Sequence, residues 1–218
     1  MSLREMSMSE YKLSENNWTR VAVFAGGDRG HYRTDFDCFV GVDRGSLWVL
    51  EEDLPLALAV GDFDSVTADE RQLIQKCAQH FVQAQPEKDD TDLELALLTI
   101  FEQNSQAQVT IFGALGGRID HMLANVFLPS NPKLAPYMRQ IAIEDGQNVI
   151  IYCPEGTSQL EPRSDYDYLA FIPVRDSQLT IIGAKYELTE ENFFFKKVYA
   201  SNEYIDREVS VTCPDGYV

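Results

Sequence analysis

Three short stretches of this chain gather side chains from which a chemistry can be built. GDFDS, Gly61 to Ser65, sets Asp62 and Asp64 two residues apart directly after an apolar run. In an extended chain, residues two apart point the same way, so the two carboxylates would face one ligand. Paired hard oxygens suit Mg²⁺, which keeps waters and substrate phosphates in its shell, although Asp-x-Asp also forms Asx turns. EKDDTD, Glu87 to Asp92, is acidic at four of its six positions and turns abruptly into LELALLTIF. There Thr91 or Asp90 can cap a helix, Asp92 would sit in its first turn where the dipole favours a carboxylate, and Lys88 is the only positive charge. GALGGRIDH, Gly113 to His121, offers backbone N–H groups at Gly116 and Gly117, a forked donor in Arg118 and a carboxylate at Asp120. Its plain alternative is a βα turn with Asp120 as N-cap. It is neither a P-loop nor a dinucleotide fingerprint.

These stretches need elements to hold them. VAVF (Val21 to Phe24), CFVGV (Cys38 to Val42), LALAV (Leu56 to Val60) and VTIF (Val109 to Phe112) are apolar on successive residues, and each runs into Gly, Asp or both. HFVQA, from His80, is a weaker fifth. Such runs suit strands buried on both faces of a parallel sheet. Helical patterns lie between them: Ala68 to Ala78, with Thr67 and Glu70 spaced as a capping box, Asp92 to Gln103, and His121 to Leu128. Alternation of strand and helix predicts an α/β domain with a mostly parallel sheet over residues 18–132. PSNPKLAP, Pro129 to Pro136, reads as a linker. After it, IAIEDGQNVIIY has hairpin character around Asp145-Gly146, and β-branched and aromatic runs follow, predicting an all-β sandwich over residues 137–218.

In such a sheet, ligands bind beyond the carboxyl ends of the strands, where the acidic and glycine-rich stretches fall. Several carboxylates sharing a partly dry cleft repel by several kcal/mol unless a cation neutralises them, so a divalent metal is the natural inference. With a glycine-rich loop, Lys88 and Arg118 beside it, the metal would bridge to a phosphate substrate.

The 218 residues carry 18 Lys+Arg against 35 Asp+Glu, a formal charge of −17. That balance, without a basic patch, disfavours nucleic acid and anionic membrane surfaces as partners. Cys38, Cys77, Cys153 and Cys213 form no CxxC pair, and no run of about 18 apolar residues occurs, so the cytoplasm is the expected compartment. The Ser/Glu-rich leader, MSLREMSMSEYKLSENNW, is expected to be a loose terminus.

VGVDRGSLWVL, VGDFDS, KDDTDLELAL, GALGGRIDHMLANVFL and, near the end, ASNE occur in that order, and the set resembles bacterial thiamin pyrophosphokinase. The resemblance implies transfer of a diphosphate group from ATP to the hydroxyethyl oxygen of thiamin, giving thiamin diphosphate and AMP, with Mg²⁺ required. It matches Asp62, Asp64 and Asp92 to metal-binding, catalytic carboxylates, and makes Asp92 a candidate acceptor of the alcohol proton. It assigns Asp43, Lys88, Thr91, Arg118, Asp120 and His121 to the ATP and phosphate side; for His121 a structural place at a helix start is the alternative. It implies a homodimer with thiamin at the subunit interface, reached by Ser201 and Asn202, which by spacing alone read as a turn ending a strand. The same acids would also serve a metal-dependent phosphoester hydrolase, or a thiamin- or nucleotide-binding protein without turnover.

Overall fold

The computed structural model describes residues 17–85, 89–205 and 207–218. Six parallel-paired strands form the body of the first unit: β1 (Arg20–Phe24), β2 (Cys38–Val42), β3 (Leu56–Gly61), β4 (His80–Gln83), β5 (Gln108–Phe112) and β6 (Ile141–Glu144). Their order is β4-β3-β2-β1-β5-β6, and a short strand β7 (Val149–Ile151) follows in the chain. Every residue of β2 and β3 is buried, as two-sided coverage demands, while β4 at the edge is half-buried. Chain order reverses direction across the sheet between β1 and β5, so the loops leaving these two strands form the crevice of a switch point.

Four helices connect the strands: α1 (Gly45–Glu51), α2 (Ala68–Cys77), α3 (Asp92–Gln103) and α4 (Ile119–Val126). Both α2 and α3 begin with complete capping boxes, Thr67 with Glu70 and Thr91 with Glu94. Helix α3 buries Leu93, Ala96, Leu97, Ile100 and Phe101. Trp48 of α1 is buried in a core that includes Phe24, Phe112, Leu56 and Phe63.

The expected linker is packed structure. Leu128–Ser130 and Ala135–Gln140 are 3-10 turns, Leu134 is wholly buried, and Tyr137 stacks on Phe101 with ring centroids 4.1 Å apart. The next segment, Ile141 to Glu144, joins the parallel sheet beside β5 because Ile141 and Ile143 bury there almost completely. One compact unit ends at Gly146 and the second begins at Gln147. The chain bends at Gly146 and Gln147, after Ile141 to Glu144 has paired within the α/β unit.

The second unit is antiparallel. β8 (Pro154–Leu160), β10 (Thr180–Ile182) and β12 (Val209–Tyr217) form one sheet in the order β10-β12-β8, and β9 (Leu169–Phe171) pairs with β11 (Tyr199–Asn202). Phe171, Leu179, Ile181, Val209, Val211 and Cys213 share one core, with Leu169 and Tyr199 packed against it. β8, PEGTSQL, has no apolar pattern to announce it; it is recruited by pairing with β12, including a Thr157–Thr212 hydroxyl contact of 2.9 Å. Among the described residues, no helix is long and apolar enough to cross a membrane.

Candidate active site

Three aspartates that follow separate elements converge. Asp43 comes directly after β2, Asp62 directly after β3, and Asp92 is the first residue of α3. One carboxylate oxygen of each lies within 4.8 Å of the others, and all three residues are half-buried. Backbone detail makes this approach feasible. Asp43 and Phe63 both take left-handed conformations, with φ of 48° and 59°. Phe63 is buried and stacks on Phe81 at 4.6 Å, which pins the GDFDS turn to the core and leaves Asp62 and Asp64 on its outer side. The Asp43 carboxylate accepts the Phe63 N–H at 3.1 Å. A β-carbon at Gly61 would lie 1.9 Å from Asp43 Oδ1, so only glycine admits that carboxylate.

The left-handed Phe63 also means that GDFDS is not extended. Asp62 accepts the Asp64 N–H at 3.0 Å in an Asx turn, and the two side chains part: Asp62 joins Asp43 and Asp92, while Asp64 is exposed beside them. Asp43, expected on the phosphate side, is thus brought into the carboxylate group. Its position after β2 parallels that of Asp62 after β3, and that repetition was the available signal.

Burial, then the charge of Asp92, pushes the Asp43 carboxyl from 3.8 up to about 7; Asp62 and Asp64 add to the rise, and the Phe63 N–H opposes it. Three oxygen donors held this close, with one carboxyl already driven towards its neutral form by burial and by its neighbours, fit a hard divalent cation.

The glycine-rich loop behaves as the residue types suggest. Gly116 and Gly117 are both left-handed, at φ 86° and 67°. Ala25 N–H donates to Phe112 O and Gly27 N–H to Gly113 O, tying the loops after β1 and β5 together at the switch point. Arg118 occupies the N-cap of α4 without a side-chain cap, and Asp120 lies in the first turn, so Asp120 is not the cap. Arg118 grips Asp120 with both prongs, at 2.7 and 3.2 Å, and this hydrogen bonding holds the Asp120 carboxyl down to about 2. Asp120, Arg118 and His121 are all exposed.

Around the start of α3, the capping box is closed by Glu94 Oε2, which accepts the Thr91 N–H at 2.7 Å, and by Thr91 Oγ1, which accepts the Glu94 N–H at 3.2 Å. Asp90 is held from elsewhere in the chain: Lys133 Nζ donates to it at 2.5 Å and Asn131 Nδ2 at 3.1 Å. Neither Asn131 nor Lys133 was legible as part of a site, because both lie in the stretch that reads as a linker. Lys88 lies outside the described residues.

Ser201 and Asn202, at the end of β11, differ in kind. Ser201 is exposed, with a left-handed φ of 61°. Asn202 is buried, and its amide accepts the Tyr186 and Glu203 N–H groups at 2.9 and 3.0 Å and donates to Tyr186 O at 2.8 Å. The Asn202 side chain therefore acts as a backbone-like partner for Tyr186, which anchors the irregular end of β11 that carries Ser201.

Comparisons with known proteins point to one family. The family described as thiamin pyrophosphokinase, catalytic domain, matches residues 30–137, and the thiamin pyrophosphokinase vitamin B1 binding domain matches residues 157–218. A thiamine pyrophosphokinase of Bacillus subtilis is 36% identical over 176 residues, spanning 77% of this chain and 81% of the relative. The crystal structure of a thiamin pyrophosphokinase family protein from Enterococcus faecalis superposes with a TM-score of 0.82 at 42% identity, covering 91% of this chain and 96% of that one. That of thiamin pyrophosphokinase from Geobacillus thermodenitrificans gives 0.74 at 32% identity, covering 91% and 94%. With both domain types matched in order and relatives of this identity along most of its length, the chain belongs to the thiamin pyrophosphokinase family.

Proposed function

We infer that this enzyme forms thiamin diphosphate by diphosphoryl transfer from ATP at the strand-end group of Asp43, Asp62 and Asp92. The observation that carries the location is the convergence of three carboxylates within 4.8 Å, on the strand-end edge that also carries the left-handed glycine pair and Arg118, in a chain of this family. Asp43, Asp62 and Asp92 would hold Mg²⁺, with exposed Asp64 beside them. Bound there, the metal would neutralise phosphate charge and polarise the phosphoryl oxygens.

The thiamin hydroxyl oxygen attacks the β-phosphorus; the bond from that phosphorus to the bridging oxygen of the α-phosphate breaks, and AMP leaves. The alcohol proton passes to a carboxylate, with Asp92 the candidate base. Much of the work is positioning and charge stabilisation. Arg118, oriented by Asp120, offers a forked donor to phosphate, and the Gly116 and Gly117 amides flank it. Lys88, Thr91 and His121 complete the assigned ATP side. Ser201 contacts thiamin, while Asn202 supports it from the core.

The working unit in this reading is a homodimer, with thiamin held at its interface. Exposed apolar residues support it: Ile119 and Leu123, one turn apart on α4, and Phe194 and Tyr186 in the second unit. The cytoplasm is the proposed compartment, with four free cysteines in keeping.

Incubation of the purified protein with ATP, Mg²⁺ and thiamin should yield AMP and thiamin diphosphate in equal amounts. Absence of AMP above a thiamin-free control overturns the reading, and phosphate release independent of thiamin would indicate a hydrolase instead. Light scattering of the same preparation tests the dimer.

A further inference from the structure

We propose that Asn131 and Lys133 are positioning residues for the metal centre, acting through the α3 cap on Asp92. The inference rests on the reading of Asp92 as a metal ligand.

Asp92 is the first residue of α3, so its carboxylate can be no better placed than the backbone of Asp90, Thr91 and Asp92. Asn131 ties together the side chains of Asp90 and Glu94, on either side of Thr91 and Asp92. Its single Nδ2 group donates to Asp90 Oδ1 at 3.1 Å and to Glu94 Oε1 at 3.0 Å, bridging the residue before the cap to the acid that closes the capping box. The other oxygen of Glu94 is the one that accepts the Thr91 N–H. Lys133 Nζ takes the second oxygen of Asp90 at 2.5 Å, and its own N–H donates to Asn131 Oδ1 at 3.0 Å, which fixes the orientation of the asparagine amide. These contacts span 37 to 43 residues of sequence, so the loop is set by the folded core and not by its own turn chemistry.

The clamp also has an electrostatic part. Asp89, Asp90, Asp92 and Glu94 crowd one helix start. Lys133 is the cation that the structure shows paired with Asp90, and an amide at Asn131 satisfies two carboxylates without adding charge. Asp90 thus falls to the clamp, which leaves Asp92 to face Asp43 and Asp62. Groups behind a metal ligand that fix its orientation commonly govern affinity by about 10- to 100-fold.

Mn²⁺ binding to the substrate-free full chain, followed by the loss of free Mn²⁺ signal in electron paramagnetic resonance, tests this with Asp92→Asn, Asn131→Ala, Lys133→Met and Lys133→Arg. Asp92→Asn should lose most binding. Asn131→Ala should weaken it roughly 10-fold, Lys133→Met should shift it in the same direction, and Lys133→Arg should restore it. The Mg²⁺ concentration for half-maximal turnover should rise in parallel while the KM for thiamin holds. If Asn131→Ala and Lys133→Met melt earlier but bind Mn²⁺ like the parent, while Asp92→Asn does not, the clamp is merely structural and the proposal fails. Wild-type Mn²⁺ binding by Asp92→Asn overturns the metal reading itself. Should Asn131→Ala not fold, Lys133→Met decides alone, since its side chain is 57% exposed and leaves no cavity.

Discussion

Asp43 Oδ1 accepts the backbone N–H of Phe63 at 3.1 Å, and through that bond the loops after two adjacent strands present their acids to one point. The carboxylate that organises the turn is itself a member of the acidic group. Loss of either acid after β3 should therefore act at the site and spare the fold. Asp62→Asn is expected to lower turnover by roughly 100-fold or more, as removal of a ligand does, and Asp64→Asn to lower it less, since Asp64 is exposed beside the group. Steady-state assays with circular dichroism as the fold control check this; unchanged activity in both variants contradicts the assignment.

The metal-free protein should lose stability as pH rises. Asp43 holds its proton up to about 7 in the folded chain against an ordinary value of 3.8. Between these values the folded state binds a proton that the unfolded chain has released, so stability is full below about pH 4 and declines through pH 7. Allowing for partial access to water, the loss attributable to Asp43 is on the order of 1–2 kcal/mol. Asp43→Asn should remove this contribution. Thermal melts in chelator from pH 4 to pH 8 would show it, and saturating Mg²⁺ should restore the parent protein at pH 8.

Two capping boxes of the same design separate stability from activity. Thr67→Ala at α2 and Thr91→Ala at α3 each remove a side-chain acceptor for an N3 amide, at a cost of about 1 kcal/mol. Only Thr91 adjoins Asp92. Comparable drops in melting temperature with turnover impaired in Thr91→Ala alone are expected; equal activity in the two variants would detach the α3 cap from the chemistry.

Ser201 and Asn202 should divide in the same manner. Asn202→Ala removes the part-buried side-chain bonds to the Tyr186 N–H and C=O and should cost about 1–3 kcal/mol. Ser201→Ala should leave melting unchanged and raise the KM for thiamin. Denaturant unfolding and kinetics of the two variants, side by side, distinguish support from contact.

Much of the arrangement is local in origin and was legible. The buried runs of β1, β2, β3 and β5 announce themselves because burial selects continuous apolar residues, and the cap at Thr67 because hydrogen bonding across three residues needs no tertiary partner; at α3 the choice between Thr91 and Asp90 stayed open until the structure showed Thr91. Sequence order alone put GDFDS, DDTD and GGRID at loops that a parallel sheet collects at one edge.

What the sequence by itself determined, then, is the type of the main strands and helices of the first unit, the family resemblance and the stretches that carry chemistry. Only the tertiary structure decided that Asp43 joins Asp62 and Asp92, because that contact depends on strand register, a left-handed Phe63 and the missing β-carbon of Gly61. It also decided that PSNPKLAP is packed structure bonded to Asp90 and Glu94 and not a linker, that Ile141 to Glu144 joins the first sheet, and that PEGTSQL is a strand. Each of these is fixed by partners tens of residues away, and spacing along a chain carries no record of them.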